Sequence, residues 1–259
     1  MKQRPEIRTS LTRAAALALV LMGIPALAAA NTKETERVDK TVPFAAGGTI
    51  HLKNFSGRVQ ITGENRSDVA IVAVRTAPRE RLEHIKLAVE PSGSSLTIDA
   101  NRKDAGWSEK NENVVETAFD IKVPASVDLD VDVFSSSVTV TGVTGHHHVH
   151  GFSSELRLDH STGSVDAETF SGAIYLSPAT WVKDQSLKAK TFSGDIEVRL
   201  PADAAGKVEF ESFSGDINAE VPLMLESKTR RSLHARLKDG SGDGELYFKT
   251  FSGDVKLLK

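Results

Sequence analysis

The chain has 259 residues, 39% of them hydrophobic and 26% charged, with a formal net charge of −3. That is the composition of a folded globular protein rather than a disordered one, and its mild acidity excludes a nucleic-acid binder, which needs a basic surface to meet phosphate. Cysteine is absent, which excludes disulfides, thiol catalysis, thiolate metal sites and a lipid-bearing cysteine anchor.

Residues 1–13 are polar and positive, Ala14 to Ile24 form an apolar run of eleven, and Pro25 leads into Ala26-Leu27-Ala28 and Ala29-Ala30. A charged start, a short apolar segment and an A-x-A exit are the parts of a secretory signal peptide. Residues 1–30 are read as one, cleaved after Ala28 or Ala30. The alternative is a retained anchor, but eleven residues rise only about 16 Å as a helix against a hydrocarbon layer of roughly 30 Å. Cleavage removes four positive charges and one negative, taking the formal charge from −3 to −6. The mature chain is then exported, periplasmic or at the cell surface, with no transmembrane segment.

Residues 31–124 read as a less regular β region that starts and caps the regular repeats beyond residue 124. Residues 49–63, 68–76, 85–91, 95–100 and 117–124 read as strands, and 78–84 as a turn or short helix.

The main signal is a repeat. Phe-Ser followed by Gly or Ser occurs at Phe55, Phe134, Phe152, Phe170, Phe192, Phe213 and Phe251, seven of the eleven phenylalanines. From Phe134 onward the spacings are 18, 18, 22, 21 and 38, and a period near twenty means stacked units. Cutting 134–178 into nines brings out one short strand per segment. Val138/Val140, His147/Val149, Leu156/Leu158, Val165/Ala167 and Ile174/Leu176 face inward, with polar residues between them. Residues 125–259 are therefore predicted to be an all-β, single-stranded β-helix or β-solenoid with coils of about 18–22 residues. The phenylalanines are expected to form a column inside it. Gly57, Gly172, Gly194, Gly215 and Gly253 make the corners, because glycine accepts positive φ. An antiparallel sandwich shares the alternation but does not explain why Phe-Ser-Gly returns in step.

Residues 222–248 interrupt the period and carry Lys228, Arg230, Arg231, His234, Arg236 and Lys238. They read as a solvated hairpin or insertion. The functional alternative is contact of Arg230, Arg231 and Arg236 with an anionic surface.

The segments FSGRVQITG, FSGAIYL, TFSGDIEVRLP, SFSGDINAEVP and TFSGDVKLLK resemble the repeats of the bacterial putative adhesin family, domain of unknown function 4097, over roughly residues 40–259. The resemblance implies an exported or envelope-associated protein with a right-handed β-helix type of fold. It brings no catalytic residues. The shared Ser-Gly-Asp at 193–195, 214–216 and 252–254 is turn chemistry, with calcium binding as the alternative.

His146, His148 and His150 depart from that pattern. Alternation puts them outward and His147 inward. One 18-residue step either way reaches Ser164, Asp166 and Glu168, or Asp128, Asp130 and Asp132. A metal set of His146, His148, His150, Asp130, Asp166 and Glu168 would suit zinc, nickel or copper. The same row could sense pH, or it could be solvated surface. No nucleophile elbow, zinc-protease, P-loop or dinucleotide motif is present. The Asp128/Asp130/Asp132 row with Arg157 and Lys190 is the one arrangement that suggests a polysaccharide-active enzyme, and Arg157 should lie on a different sheet. The leading expectation is a non-catalytic binding or scaffold protein, without cofactor, that presents a flat strand face to an envelope protein or glycan.

Overall fold

The structure, a computed structural model, describes residues 32–107, 113–238 and 242–259. The expected signal peptide lies outside the described residues. Residues 32–259 form one unit.

The first half runs β1 (Lys33–Pro43), β2 (Thr49–Glu64), β3 (Asp68–Pro78), a one-and-a-half-turn helix α1 (Arg79–His84), β4 (Ile85–Ser92), β5 (Ser95–Lys103) and β6 (Glu116–Pro124). The second half runs β7 (Asp128–Thr141), β8 (His147–Ser153), β9 (Leu156–Ser161), β10 (Val165–Ser171), β11 (Ile174–Pro178), β12 (Ser186–Ser193) and β13 (Ile196–Arg199). It ends with β14 (Gly206–Ser214), β15 (Ile217–Ala219), β16 (Leu223–Lys228), β17 (Ser232–Leu237), β18 (Gly244–Ser252) and β19 (Val255–Leu258). Five of these elements match the strands expected in 31–124, and α1 falls where a turn or short helix was expected. β1 carries no strand signal in the sequence. Its sequence KETERVDKTVP is charged and almost wholly exposed, so it has no apolar alternation to detect.

The chain is a β-solenoid of two-stranded coils. One side of the stack is built in the order β5, first half of β2, first half of β7, β8, β10, β12, β18, β14, all parallel. The other side runs β6, second half of β2, second half of β7, β9, β11, β13, β19, β15, also parallel. Antiparallel strands extend both ends: β4 on β5, then β3 on β6 with β1 outside it, and the β16–β17 hairpin on β14.

Spatial order departs from chain order twice. β2 enters between β5–β6 and β7, and β18–β19 enters between β12–β13 and β14–β15. Both ends of the stack are thus closed by a coil laid outside one of its chain neighbours. This accounts for the interrupted period. Residues 222–237 are a capping hairpin, and 244–258 rejoin the stack as an inner coil.

Alternation sets the core. Rows such as Leu52, Val131, Val149, Ala167, Ala189 and Phe248 face rows such as Ile61, Val140, Leu158, Leu176, Val198 and Leu257 in one apolar cluster. Small Ala189 pairs beside large Phe248, the interlocking that close packing requires. The inward position just before the corner is Val133 in β7 and Gly151 in β8, and polar in the other coils. Asn54 Nδ2 donates to Thr117 O (3.0 Å), Thr169 Oγ1 to Ser154 O (3.2 Å) and Thr191 Oγ1 to Gly172 O (3.3 Å). These bonds tie three of the corners to their neighbours, whereas Ser212 Oγ and Thr250 Oγ1 at the same position are buried with no hydrogen-bond partner among the described residues.

The corner glycines follow from stacking. At Gly172, Gly194, Gly215 and Gly253 φ lies between 143° and 155°. A Cβ would stand 2.0–2.1 Å from a carbonyl oxygen of the adjoining coil. The two FSS coils solve the corner differently: Ser136 and Ser154 turn their hydroxyls into the interior, where Ser136 Oγ accepts from Asn54 and Ser154 Oγ accepts from Ser136 N at 3.3 Å.

Candidate functional site

The phenylalanine column is on the outside, which corrects the expectation of an internal one. Phe55, Phe134, Phe152, Phe170, Phe192, Phe251 and Phe213 stack in that order, with centroids 4.6–5.0 Å apart and planes within 19° of parallel. Each is 41–54% exposed. The physical reason is parity. Along β10, Val165, Ala167 and Thr169 point in, so Phe170 points out. The same count along any of these strands in the sequence gives this answer. Treating the corner as a fresh start hides it.

Two positions earlier along each strand stands a second outward row: Lys53, Asp132, His150, Glu168, Lys190, Lys249 and Glu211. The two rows bound a trough that follows the stack. One stretch, of about 1150 Å³, runs from Phe152 to Phe213. A second, of about 510 Å³, runs from Phe55 to Phe152, and His150, Gly151 and Phe152 line both. Arg231, from the turn between β16 and β17, reaches the far end, with its guanidinium carbon 4.3 Å from the Phe213 ring centre.

Four of the seven residues in the charged row pair along it. Lys190 Nζ lies 3.4 Å from Glu168 and Lys249 Nζ 2.9 Å from Glu211. The hydrogen bond between Lys249 and Glu211 holds that carboxyl below its ordinary range and the ammonium above its own. Burial, and then the Glu211 charge, push the neighbouring Tyr247 phenol up.

The His row sits in the expected register. His148 lies between Asp130 and Asp166, and His150 between Asp132 and Glu168. His147 is buried, as alternation required. The proposed metal set is not brought to a point: among the described residues no three His, Asp or Glu side chains are placed to hold an ion. His146, His148, His150, Asp130, Asp166 and Glu168 are spread over neighbouring strands of one flat ladder, and several are already engaged. Asp130 pairs with His51 at 2.8 Å, and the His148 and His150 rings lie against each other at 4.1 Å. Asp128 Oδ1 accepts from His146 N at 2.8 Å.

The Ser-Gly-Asp turns make a similar ladder. Asp195 Oδ1 accepts from Asp254 N, and Asp254 Oδ1 from Asp216 N, both at 2.9 Å. The carboxylates are used in linking corners. Arg157 lies on β9, the opposite side from Asp130, and covers the Tyr175 ring at 4.1 Å, so it does not join the Asp row. In the hairpin, Arg236 Nε pairs with Glu226 at 2.8 Å while Arg231 turns to the trough. Among the described residues no helix is long and apolar enough to cross a membrane.

No curated protein matches the sequence. Among solved structures, the chain is similar to a putative cell adhesion protein from Clostridium sporogenes, at 12% identity over 88% of this chain and 99% of that one, with a TM-score of 0.47. It is also similar to a putative adhesin from Bacteroides fragilis, at 12% identity over 86% of this chain and 97% of that one, with a TM-score of 0.42. The model of the family described as Toastrack DUF4097 matches residues 128–258, half of the sequence and nearly all of its second-half coils. With the Phe-Ser-Gly corners and the stacked coils, that match makes the chain a member of the Toastrack DUF4097 family.

Proposed function

We propose that this is a non-catalytic binding protein of the cell envelope, and that its binding element is the phenylalanine-walled trough rather than a flat strand face. The observation that carries this reading is the uncovered ladder itself. Seven apolar rings stand in one unbroken exposed line, and contiguous apolar surface of that kind marks interaction sites. No strand, loop or helix among the described residues lies over it, apart from Arg231 at one end.

Two further features support the reading. Lys190 with Glu168 and Lys249 with Glu211 pair laterally beside the ladder instead of converging on a reacting centre, which suits binding rather than catalysis. The charged, apolar, A-x-A pattern of residues 1–30 supports export. A glycan fits less well than an apolar partner. Sugar rings lie on the faces of aromatic rings, and here each inner ring has both faces covered by its neighbours. Only ring edges remain.

The test is site-specific photo-cross-linking in intact cells that make the protein. A photoreactive residue in place of Lys190, on the trough, is compared with one in place of Thr139, on the opposite side. A defined adduct from position 190 and none from 139 is expected. Adducts from 139 alone, or equal adducts from both, would overturn the reading.

A further inference from the structure

The dimensions of the trough select among occupants. Its two walls are rows two residues apart on each strand, roughly 7 Å. An α-helix, about 10 Å across with its side chains, is too wide to lie between them. Both walls repeat at the coil spacing, and the ring centres are 4.6–5.0 Å apart. An extended peptide laid along the trough presents like-facing side chains about every 6.8 Å and falls out of step with the rings. A hydrocarbon chain has no side-chain register to satisfy and packs against ring edges at any point along the wall.

The far end supplies a charge. Arg231 rests on the Phe213 ring and has no ion pair among the described residues, whereas Lys190 and Lys249 are already paired. A guanidinium stacked on a ring keeps its donors in its plane for an anion. From Phe152 to Phe213 the ladder takes four steps, about 19 Å. A carbon–carbon bond of about 1.5 Å advances an extended chain about 1.25 Å per carbon, so about sixteen carbons fill that length.

We infer that the trough takes a free, single-chain anionic amphiphile of about sixteen carbons, its chain along Phe152 to Phe213 and its head at Arg231. This rests on the reading of the trough as a binding site.

The experiment is calorimetric titration of the purified protein with decanoate, myristate and palmitate, each below its micelle concentration. Affinity should rise roughly two- to fourfold per added methylene and level off near sixteen carbons. Phe170→Ser with Phe192→Ser, checked for folding by circular dichroism, should weaken palmitate at least tenfold. Arg231→Ala should weaken palmitate severalfold and leave hexadecanol unchanged.

A flat dye of the thioflavin type, which lies along side-chain ladders of cross-β stacks, separates this inference from the reading beneath it. Ladder-dependent dye binding without palmitate binding overturns the acyl chain and keeps the trough. Binding of neither overturns both. Binding only to anionic vesicles, preference for an apolar peptide, or a dimer dissociated by the Phe170/Phe192 double variant would each overturn the inference.

Discussion

Phe248 and Phe251 stand three residues apart on β18, one fully buried and the other 44% exposed. Their side chains should carry different weight. Phe248→Ala removes a core ring beside Ala189 and should cost about 3–5 kcal/mol. Phe251→Ala removes stacking on Phe192 and Phe213 and should cost about 1–2 kcal/mol. Urea unfolding of both variants checks this, and equal costs would contradict the outward placement. His147 is the other telling residue. It occupies a row between Leu129 and Val165, its Nδ1 has no hydrogen-bond partner among the described residues, and burial pulls its pKa below the ordinary 6.5. The nearby Asp128 charge opposes that fall and His146 adds to it. In acid the unfolded chain therefore takes up a proton at this residue before the folded one does. Stability is lost as pH falls through 6.5 towards the depressed folded value. His147→Leu should flatten that part of the stability profile and raise stability at pH 5. A difference from wild type that does not change between pH 8 and pH 5 would contradict this.

At the scale of elements, the repeat was legible because each coil needs the same corner. Glycine recurs where a neighbouring carbonyl leaves no room for Cβ, and alternation recurs because each strand has one face in the core. The strands of the first half were legible for the second reason alone. What could not be read was the order in which coils stack. Phe213 and Phe251 look like the last two units in line, yet β18–β19 lies inside β14–β15. Parallel pairing is compatible with either order, so nothing local in the sequence distinguishes them. The arrangement has a mechanical consequence. In a linear stack, loss of the last repeat removes one interface. Truncation after residue 243 removes a coil with interfaces on both sides, to β12–β13 and to β14–β15. Such a chain should lose the cooperative unfolding transition, or melt far lower than one additive repeat would give. A modest, additive fall in Tm would contradict the inserted position.

At the scale of the molecule, the two long parallel sides turn a continuous wall of seven phenylalanine rings outward, about 29 Å long. Its seven members are legible in the sequence, and so is their outward direction when strand parity is counted through the corner. The His row was legible in register and misleading in chemistry. Adjacent strands bring ligand types side by side, but a flat ladder does not aim them at one point, as a metal site requires. The candidate site therefore came from the repeat and not from the departure from it. The most direct test of its role is the Phe170→Ser, Phe192→Ser double variant carrying the photoreactive residue at position 190, with folding and capture measured on one preparation. The account predicts a folded, two-sided solenoid with a slightly lowered Tm and the adduct gone. A folded variant that still forms the same adduct would show that the ladder is a structural spine and that the partner is held elsewhere.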